Sequence, residues 1–232
     1  MNLGIFISII YIVASVLFII GLKQLSSPTT AKQANLISAF GMLLAIIATM
    51  LTEGLEFQWI FVGLAIGTVI GVFIALKVAI TEMPQMVALL NGSGGLASVL
   101  VGWASYHYQP NSSLLTTIST YLAVLIGGVT FTGSVIAWAK LQEVIITGKP
   151  IRFIGQNIVN SLILLVLVGA GIIYCMNPAE NYPLFIMVLV TSLIFGVMSV
   201  IPIGGADMPV VISLLNSYSG MAGCATGFVL NN

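Results

Sequence analysis

Charged residues are scarce in this sequence. Six lysine or arginine and six aspartate or glutamate residues make up 5% of its 232 residues, whereas a typical soluble domain is about 25% charged. So few charges cannot hydrate the surface of a chain of this length, which excludes a soluble globular protein. The net charge of zero also excludes the basic surface of a nucleic-acid-binding protein.

Cysteine, histidine and nucleotide-binding motifs are equally sparse. Cys175 and Cys224 lie inside apolar runs, so neither a disulfide framework nor a cysteine-based zinc site is expected. The one histidine, His107, lies in a predicted loop, where a surface position is favoured over a role in proton entry. The sequence has no Walker loop, no Gly-x-Gly-x-x-Gly motif after a strand and no cluster of metal ligands. We therefore expect this chain itself to bind no cofactor and no metal.

Long apolar runs dominate the sequence instead. Hydrophobic residues make up 59% of the chain, and a membrane-spanning helix needs about 20 mostly apolar residues. The pattern predicts an all-α, polytopic transmembrane bundle with short connections and no soluble domain. The eight predicted spans are residues 3–22, 34–51, 59–78, 84–106, 114–139, 154–174, 183–201 and 209–230.

The basic residues predict the topology of these spans. With the spans numbered in chain order, all six lysine and arginine residues fall in the loops or span ends of one side. Basic residues concentrate on the cytoplasmic side of a membrane, so we predict that this side is cytoplasmic and that the N-terminus is outside. The six residues are Lys23, Lys32, Lys77, Lys140, Lys149 and Arg152.

An internal repeat relates the two halves of the chain. Residues 81–103 and 206–228 align without a gap at an offset of 125 residues and keep the same orientation, as in a parallel repeat. We predict repeat units at about 34–139 and 159–232, the second one incomplete, with a ninth span missing from the sequence. The identities that carry the repeat include Met83 with Met208, Pro84 with Pro209, and Asn91 with Asn216.

Two stripes of small and polar residues follow the repeated asparagines. In span 4, Asn91 precedes Ser98 and several glycines on one face, and span 8 carries a similar face. Helix packing is the favoured interpretation of the glycines, whereas an amide deep in the membrane favours a functional role for the asparagines. We expect both amides at similar depth, facing a shared polar interior. The span-8 face contains Ser213, Asn216, Ser219, Gly220, Gly223 and Gly227.

Further candidates lie in span 5 and at the starts of spans 4 and 8. Thr132 and Ser134 either bond back to helix carbonyls or line a water path. Glu82 and Asp207 each lie two residues before a proline, where an acid either caps the helix or contacts a cytoplasmic partner. Gly204 and Gly205, just upstream of Asp207, give the backbone freedom to move. No span has a central ionisable residue, which argues against a self-contained proton antiporter.

Spans 4, 5 and 8 contain the segments MPQMVALLNGSGG, VTFTGSVIAWAKL and GGADMPVVISLLNSYSG. These segments resemble the membrane domain of the beta subunit of proton-translocating nicotinamide nucleotide transhydrogenase. The resemblance implies nine spans, a C-terminal NADP(H)-binding domain and a bacterial cytoplasmic membrane. It also implies that Asn216 matches a channel asparagine, that Asp207 faces the NADP(H) domain and that Ser134 lies near the proton path.

The resemblance further implies the activity and partners of a complete enzyme. Hydride would pass from NADH to NADP+, driven by inward proton flow, with NAD(H) and NADP(H) bound by other domains. The partners would be the alpha-side membrane helices, the NAD(H)-binding domain, the NADP(H)-binding domain and a second copy of the enzyme. Many members carry a proton-handling histidine at the position of Asn91. Some members instead place this histidine on a helix of the alpha-side membrane subunit, so the resemblance implies that the protonatable group here comes from that partner.

Two other classes of protein remain as alternatives. A secondary transporter or channel built on a two-fold repeat would have broken helices near the middle of the membrane, and the uninterrupted spans argue against it. A purely structural membrane anchor would not need paired asparagines in its spans. The resemblance to the transhydrogenase beta subunit instead implies a proton-conducting membrane domain.

The topology makes a direct prediction for labelling. A cysteine placed near Glu180 should react with a membrane-impermeant reagent added outside intact cells, whereas one near Lys149 should be protected, because only the first lies on the outer side. The reverse labelling pattern would contradict the assigned orientation.

Overall fold

A computed structural model describes residues 3–52, 54–109, 112–143 and 145–230. These residues are mostly helical, with no strand among them. Three 3₁₀ turns, Ile80–Glu82, Pro178–Glu180 and Gly205–Asp207, precede α4, α7 and α8. The long helices of the described residues are α1 (Leu3–Leu25), α2 (Ala31–Met50), α3 (Phe57–Lys77), α4 (Met83–Tyr108), α5 (Leu114–Gln142), α6 (Gln156–Met176), α7 (Tyr182–Val200) and α8 (Met208–Leu230).

Each predicted span coincides with one helix to within a few residues, and the all-α prediction is confirmed. Seven of the described helices are long and apolar enough to cross a membrane. A helix suits this environment because it satisfies its own backbone hydrogen bonds. The eighth predicted span, α8, is a 23-residue helix that is not among the seven, because Asn216 and several serines make it less apolar. Its membrane-spanning role stays a prediction.

Two helices extend further than expected. α5 continues to Gln142 and α4 to Tyr108, so Lys140 and His107 lie in last helical turns and not in loops. The sequence contains no glycine or proline between Lys140 and Gly148 that would end α5 earlier. Instead α5 ends at Glu143, which adopts a left-handed conformation with φ 53°.

The chain divides into two compact units, and α1 and α2 form a hairpin in the first, Met1–Leu76. Gly21 faces Ala34 and Ser38, and Gly41 faces the carbonyl of Ala14, so the two helices run antiparallel at close distance. Every described residue of α3 is at least partly exposed in this chain. An apolar helix with such a surface must be covered by lipid or by another protein chain.

The second unit, Lys77–Asn232, is built around α5, which contacts α4, α6, α7 and α8. We call the end of this unit that carries Lys140, Lys149 and Arg152 the basic end. One apolar cluster, which includes Met208 and Leu215, lies toward the basic end. A second cluster lies at the opposite end, where Tyr106, Tyr174, Phe185 and neighbouring apolar side chains pack together.

Small residues allow α5 to approach its neighbours closely. A Cβ atom on Gly95 would lie 2.7 Å from the Gly127 carbonyl oxygen and 2.8 Å from the Phe131 nitrogen. A Cβ atom on Gly196 of α7 would lie 2.5 Å from the Val129 carbonyl oxygen. Backbone atoms cannot move aside as flexible side chains can. These glycines therefore have the packing role expected of small residues in membrane helices.

Gly94 and Gly95 provide a matched test of this packing. An alanine at Gly95 would meet α5 backbone atoms, whereas a Cβ atom on Gly94 has no neighbour within 4 Å. Both changes gain the same helix propensity, so their difference isolates the steric clash. We expect Gly95→Ala to be less stable than Gly94→Ala by about 1–3 kcal/mol, measured by thermal unfolding of the purified protein. Equal unfolding midpoints would contradict the close contact of α4 and α5.

Candidate functional site

Asn91 is a buried amide at the junction of α4, α5 and α8. Its Nδ2 donates a hydrogen bond of 2.9 Å to Ser134 Oγ on α5. Its Oδ1 accepts a hydrogen bond of 2.6 Å from the Ser219 hydroxyl on α8. The amide thus uses both of its polar ends to join three helices. We call Asn91, Ser134 and Ser219 the polar junction.

Asn216 lies one turn before Ser219 and borders the same space. A cleft of about 320 Å³ opens beside the polar junction and is lined by Val87, Leu90, Asn91, Gly94, Asn216 and Ser219. No titratable side chain lines this cleft. The expectation of an inward-facing amide is met by Asn91, whereas Asn216 is exposed in this chain. The Asn216 side chain makes no hydrogen bond to the described residues, so a polar group in an apolar region lacks a partner.

Three glycines of the two stripes have open surroundings. A Cβ atom on Gly94, Gly220 or Gly223 would have no neighbour within 4 Å, in contrast to Gly95 and its contact with α5. The glycines of the two stripes therefore fall into two groups. Gly95 packs within the chain, and the open glycines form a small-residue surface along α4 and α8 where another helix can approach closely.

The other predicted path residues do not join the polar junction. Ser98 is buried on α4, but its hydroxyl bonds back to the Gly94 carbonyl oxygen at 3.2 Å. Thr132 bonds to Gly128 and Leu193 carbonyl oxygens, and so faces α7. Ser213 is exposed on α8. Thr132 is two residues from Ser134 and therefore lies on the opposite side of α5. Its bond to the Gly128 carbonyl oxygen is the back-bonding alternative offered by the sequence, and its place on a water path stays a prediction.

The structure gives three residues a prominence that the sequence alone did not. Thr130 is fully buried, and its hydroxyl has no hydrogen-bond partner among the described residues. It lies four residues before Ser134, so helical spacing was a signal for it. Ser219 was seen as part of the span-8 face, but its bond to Asn91 depends on how α4 and α8 pack. Lys140 was read only as a topological charge, although it is fully buried.

The two acidic candidates lie beside the 3₁₀ turns at the basic end. Glu82 precedes α4 and makes no cap hydrogen bond to it; one carboxylate oxygen instead accepts from the Ala79 N–H at 3.4 Å. Asp207 is exposed, and its carboxylate has no hydrogen bond to the described residues. Gly204 and Gly205 lie against the loop at Gly148 and Pro150, and neither has a positive φ. A Cβ atom on Gly204 would make only ordinary contacts, the nearest at 3.5 Å, whereas one on Gly205 would lie 3.3 Å from Gly148 Cα.

Comparison with known proteins relates this chain to one protein family. A model of the NAD(P) transhydrogenase beta subunit family matches residues 7–232. NAD(P) transhydrogenase subunit beta of Rhodospirillum rubrum is 38% identical over 232 positions, covering 96% of this chain and 49% of that protein. The same protein from a named strain of this species gives the same values. The chain spans about half the length of the curated relatives it matches.

The family match extends over nearly the whole chain and includes the segments that carry the resemblance seen in the sequence. With seven helices long and apolar enough to cross a membrane, the chain is a multi-pass membrane protein. It belongs to the NAD(P) transhydrogenase beta subunit family.

Proposed function

We propose that this chain is the proton-conducting membrane part of a proton-translocating NAD(P) transhydrogenase. In the complete enzyme, inward proton flow drives hydride transfer from NADH to NADP+. The observation that carries the proposal is the polar junction, in which Asn91 bridges three helices beside a cleft. Family membership supports the same role. NAD(H) and NADP(H) are bound by other domains, and this chain supplies no hydride-transfer site.

The hydrogen bonds of the polar junction run in one direction. Ser219 donates to Asn91, and Asn91 donates to Ser134. An amide does not carry a proton at neutral pH, so Asn91 acts by orienting water in the cleft. A water molecule occupies about 30 Å³ in the liquid, so a cleft of about 320 Å³ has room for several. Thr130, with a buried and unpartnered hydroxyl, offers a further hydrogen-bonding group on the same face of α5.

The protonatable group of the path comes from a partner helix. The residues lining the cleft include no titratable side chain. The resemblance implies that many family members have a histidine where this chain has Asn91. We assign this group to a histidine on an alpha-side membrane helix. Two features support the assignment. Asn216 is exposed and has no hydrogen-bond partner among the described residues, and Gly94, Gly220 and Gly223 leave open space along α4 and α8. A docked helix would cover that amide and close the cleft.

The basic end faces the cytoplasm and couples the path to the NADP(H)-binding domain. Asp207 and Glu82 are the coupling residues, and both are exposed at this end. Gly204 and Gly205 connect Asp207 to the preceding helix. All lysine and arginine residues lie on this side of the predicted topology, which supports the orientation with the N-terminus outside a bacterial cytoplasmic membrane.

The repeat and the complete architecture belong to the same proposal. α4 and α8 both follow a 3₁₀ turn that ends in an acid, both begin Met-Pro, and both pack on α5. These features support repeat units at about 34–139 and 159–232. The complete protein adds a ninth span and a C-terminal NADP(H)-binding domain. It assembles with the alpha-side subunits, and the complete enzyme forms a homodimer.

Ser219 and Ser93 allow a matched test of the polar junction. Ser219→Ala removes the hydrogen bond to Asn91 Oδ1, whereas Ser93→Ala removes only a bond to the Leu90 carbonyl oxygen of its own helix. Because a buried acceptor is left unpaired, Ser219→Ala should lower proton-coupled NADPH formation roughly fivefold or more in vesicles containing the complete enzyme. Ser93→Ala should keep nearly wild-type NADPH formation. Equal turnover in the two variants would contradict a role of the polar junction in proton conduction. If the reconstituted wild-type enzyme showed no transhydrogenation, the proposed function itself would be wrong.

Asp207→Asn tests coupling against capping. Asparagine caps a helix as well as aspartate does, so capping alone predicts near-normal turnover and at most about 1 kcal/mol of lost stability. Coupling through the charge instead predicts a loss of turnover of roughly tenfold or more with unchanged helicity. Glu180→Gln is the control, because it removes an exposed acid from the opposite end. Near-normal proton-coupled turnover of Asp207→Asn would remove Asp207 from the mechanism.

A further inference from the structure

Lys140 is a fully buried lysine in the last turn of α5. Its Nζ donates hydrogen bonds to three backbone carbonyl oxygens: Lys149 at 3.0 Å, Ile201 at 2.6 Å and Ile203 at 2.7 Å. An ammonium group has three N–H donors, so these bonds use all of them. Among the described residues, its hydrogen-bonding partners are backbone carbonyls and include no carboxylate.

The position of the ammonium explains why it tolerates burial. α7 ends at Val200, Ile201 is its C-cap residue, and Ile203 lies two residues further along the chain. The carbonyls at a helix C-terminus lack intrahelical partners and carry a partial negative charge, which favours a cation. A buried charge is costly unless it is hydrogen-bonded, and here three acceptors compensate for the lost water. The geometry is that of a cation that binds two loops and not of a surface charge.

The carbonyls bound by Lys140 belong to two loops that also contact each other. We call residues 148–152 and 201–205 the loop pair. The Gly205 N–H donates to the Gly148 carbonyl oxygen at 2.7 Å, and the Ile151 N–H donates to the Ile201 carbonyl oxygen at 3.2 Å. Arg152 Nε adds a bond of 3.2 Å to the Pro202 carbonyl oxygen. Lys140 lies beneath these contacts and joins both loops to the central helix.

The loop pair leads directly into α8. A Cβ atom on Gly205 would lie 3.3 Å from Gly148 Cα and 3.5 Å from the Lys140 carbonyl oxygen, so the chain is closely packed there. Gly205 begins the 3₁₀ turn that ends at Asp207, and α8 starts at the next residue. The same helix carries Ser219 to the polar junction. A shift of the loop pair would therefore move Asp207 and the start of α8 together.

We propose that Lys140 is a positioning residue whose ammonium holds the loop pair against α5 and thereby sets the position of Asp207 and the first turn of α8. The importance of this position for turnover rests on the proposed function, in which Asp207 couples the path to the NADP(H) domain. The hold on the loops does not depend on that function. Holding the loops requires N–H donors at the end of the residue 140 side chain, because every acceptor is a carbonyl oxygen. The apolar stem of the lysine is not sufficient.

The test compares side chains with different numbers of donors in the complete enzyme. Lysine offers three N–H donors, Lys140→Gln offers two and Lys140→Met offers none. Lys149→Met is the matched control, because it removes the same charge from an exposed position of the loop pair and keeps the backbone carbonyl that Lys140 binds. Hydrogen exchange of the Gly205 and Ile151 amides reports on the loop pair. Amides of Val124 and Val188, in the core at the opposite end, report general destabilisation.

We expect exchange at Gly205 and Ile151 to accelerate at least about tenfold in Lys140→Met and by less in Lys140→Gln, because the loop pair opens more readily when its carbonyls lose donors. Amides at the opposite end should keep wild-type exchange, and Lys149→Met should match the wild type throughout. If Lys140→Met does not fold, Lys140→Gln alone decides. Wild-type exchange at Gly205 and Ile151 in Lys140→Gln, or equal acceleration at both ends, would overturn the proposal.

Proton-coupled turnover separates this inference from the proposed function. We expect kcat to be lowest in Lys140→Met, where loop exchange is fastest, and less reduced in Lys140→Gln. The KM for NADH should change little, because the proposed nucleotide sites lie on other domains. Faster loop exchange with unchanged kcat would uphold Lys140 as the residue that positions the loop pair and would instead contradict the coupling role of Asp207.

Discussion

The close approach of α5 to its neighbours is the constraint on which the rest of the second unit depends. Gly95 and Gly127 bring the α4 and α5 backbones into contact, and Gly196 does the same for α7. Only at such a distance can a short side chain such as Ser134 receive a hydrogen bond from Asn91. In a membrane, where water does not drive helices together, this packing contributes much of the association energy. The polar junction is therefore a consequence of the small residues around it.

Polar side chains in the second unit differ in whether their hydrogen-bond donors and acceptors have partners. Asn91 and Lys140 are buried and use their donors and acceptors within the chain. Asn216 is exposed beside the cleft without a hydrogen bond to the described residues, and Thr130 has a buried hydroxyl without one. Satisfied groups hold helices and loops in place. Asn216 lines the cleft, where water or a partner helix could supply a hydrogen bond.

α8 links the two polar regions of this unit. Its first turn follows the loops held by Lys140, and its middle carries Asn216 and Ser219 to the cleft. Apolar residues between them, including Leu215, pack into the cluster near the basic end. A helix transmits displacement along its length because its backbone hydrogen bonds keep it rigid. One helix therefore relates the position of Asp207 to the geometry beside Asn91.

The sequence by itself determined the helical class and the approximate span limits, because the length of an apolar run is a local property. It also paired the Met-Pro starts and the asparagines, because identities at a fixed offset can be read without a structure. It also singled out Asn91, Ser134 and Asn216. Only the tertiary structure decided that Asn91 bonds Ser134 and Ser219, that Thr132 faces α7, and that Lys140 is buried against loops distant in sequence. Helical periodicity specifies which side chains share a face of one helix. Which helix or loop covers that face depends on packing between distant segments, which no local pattern encodes.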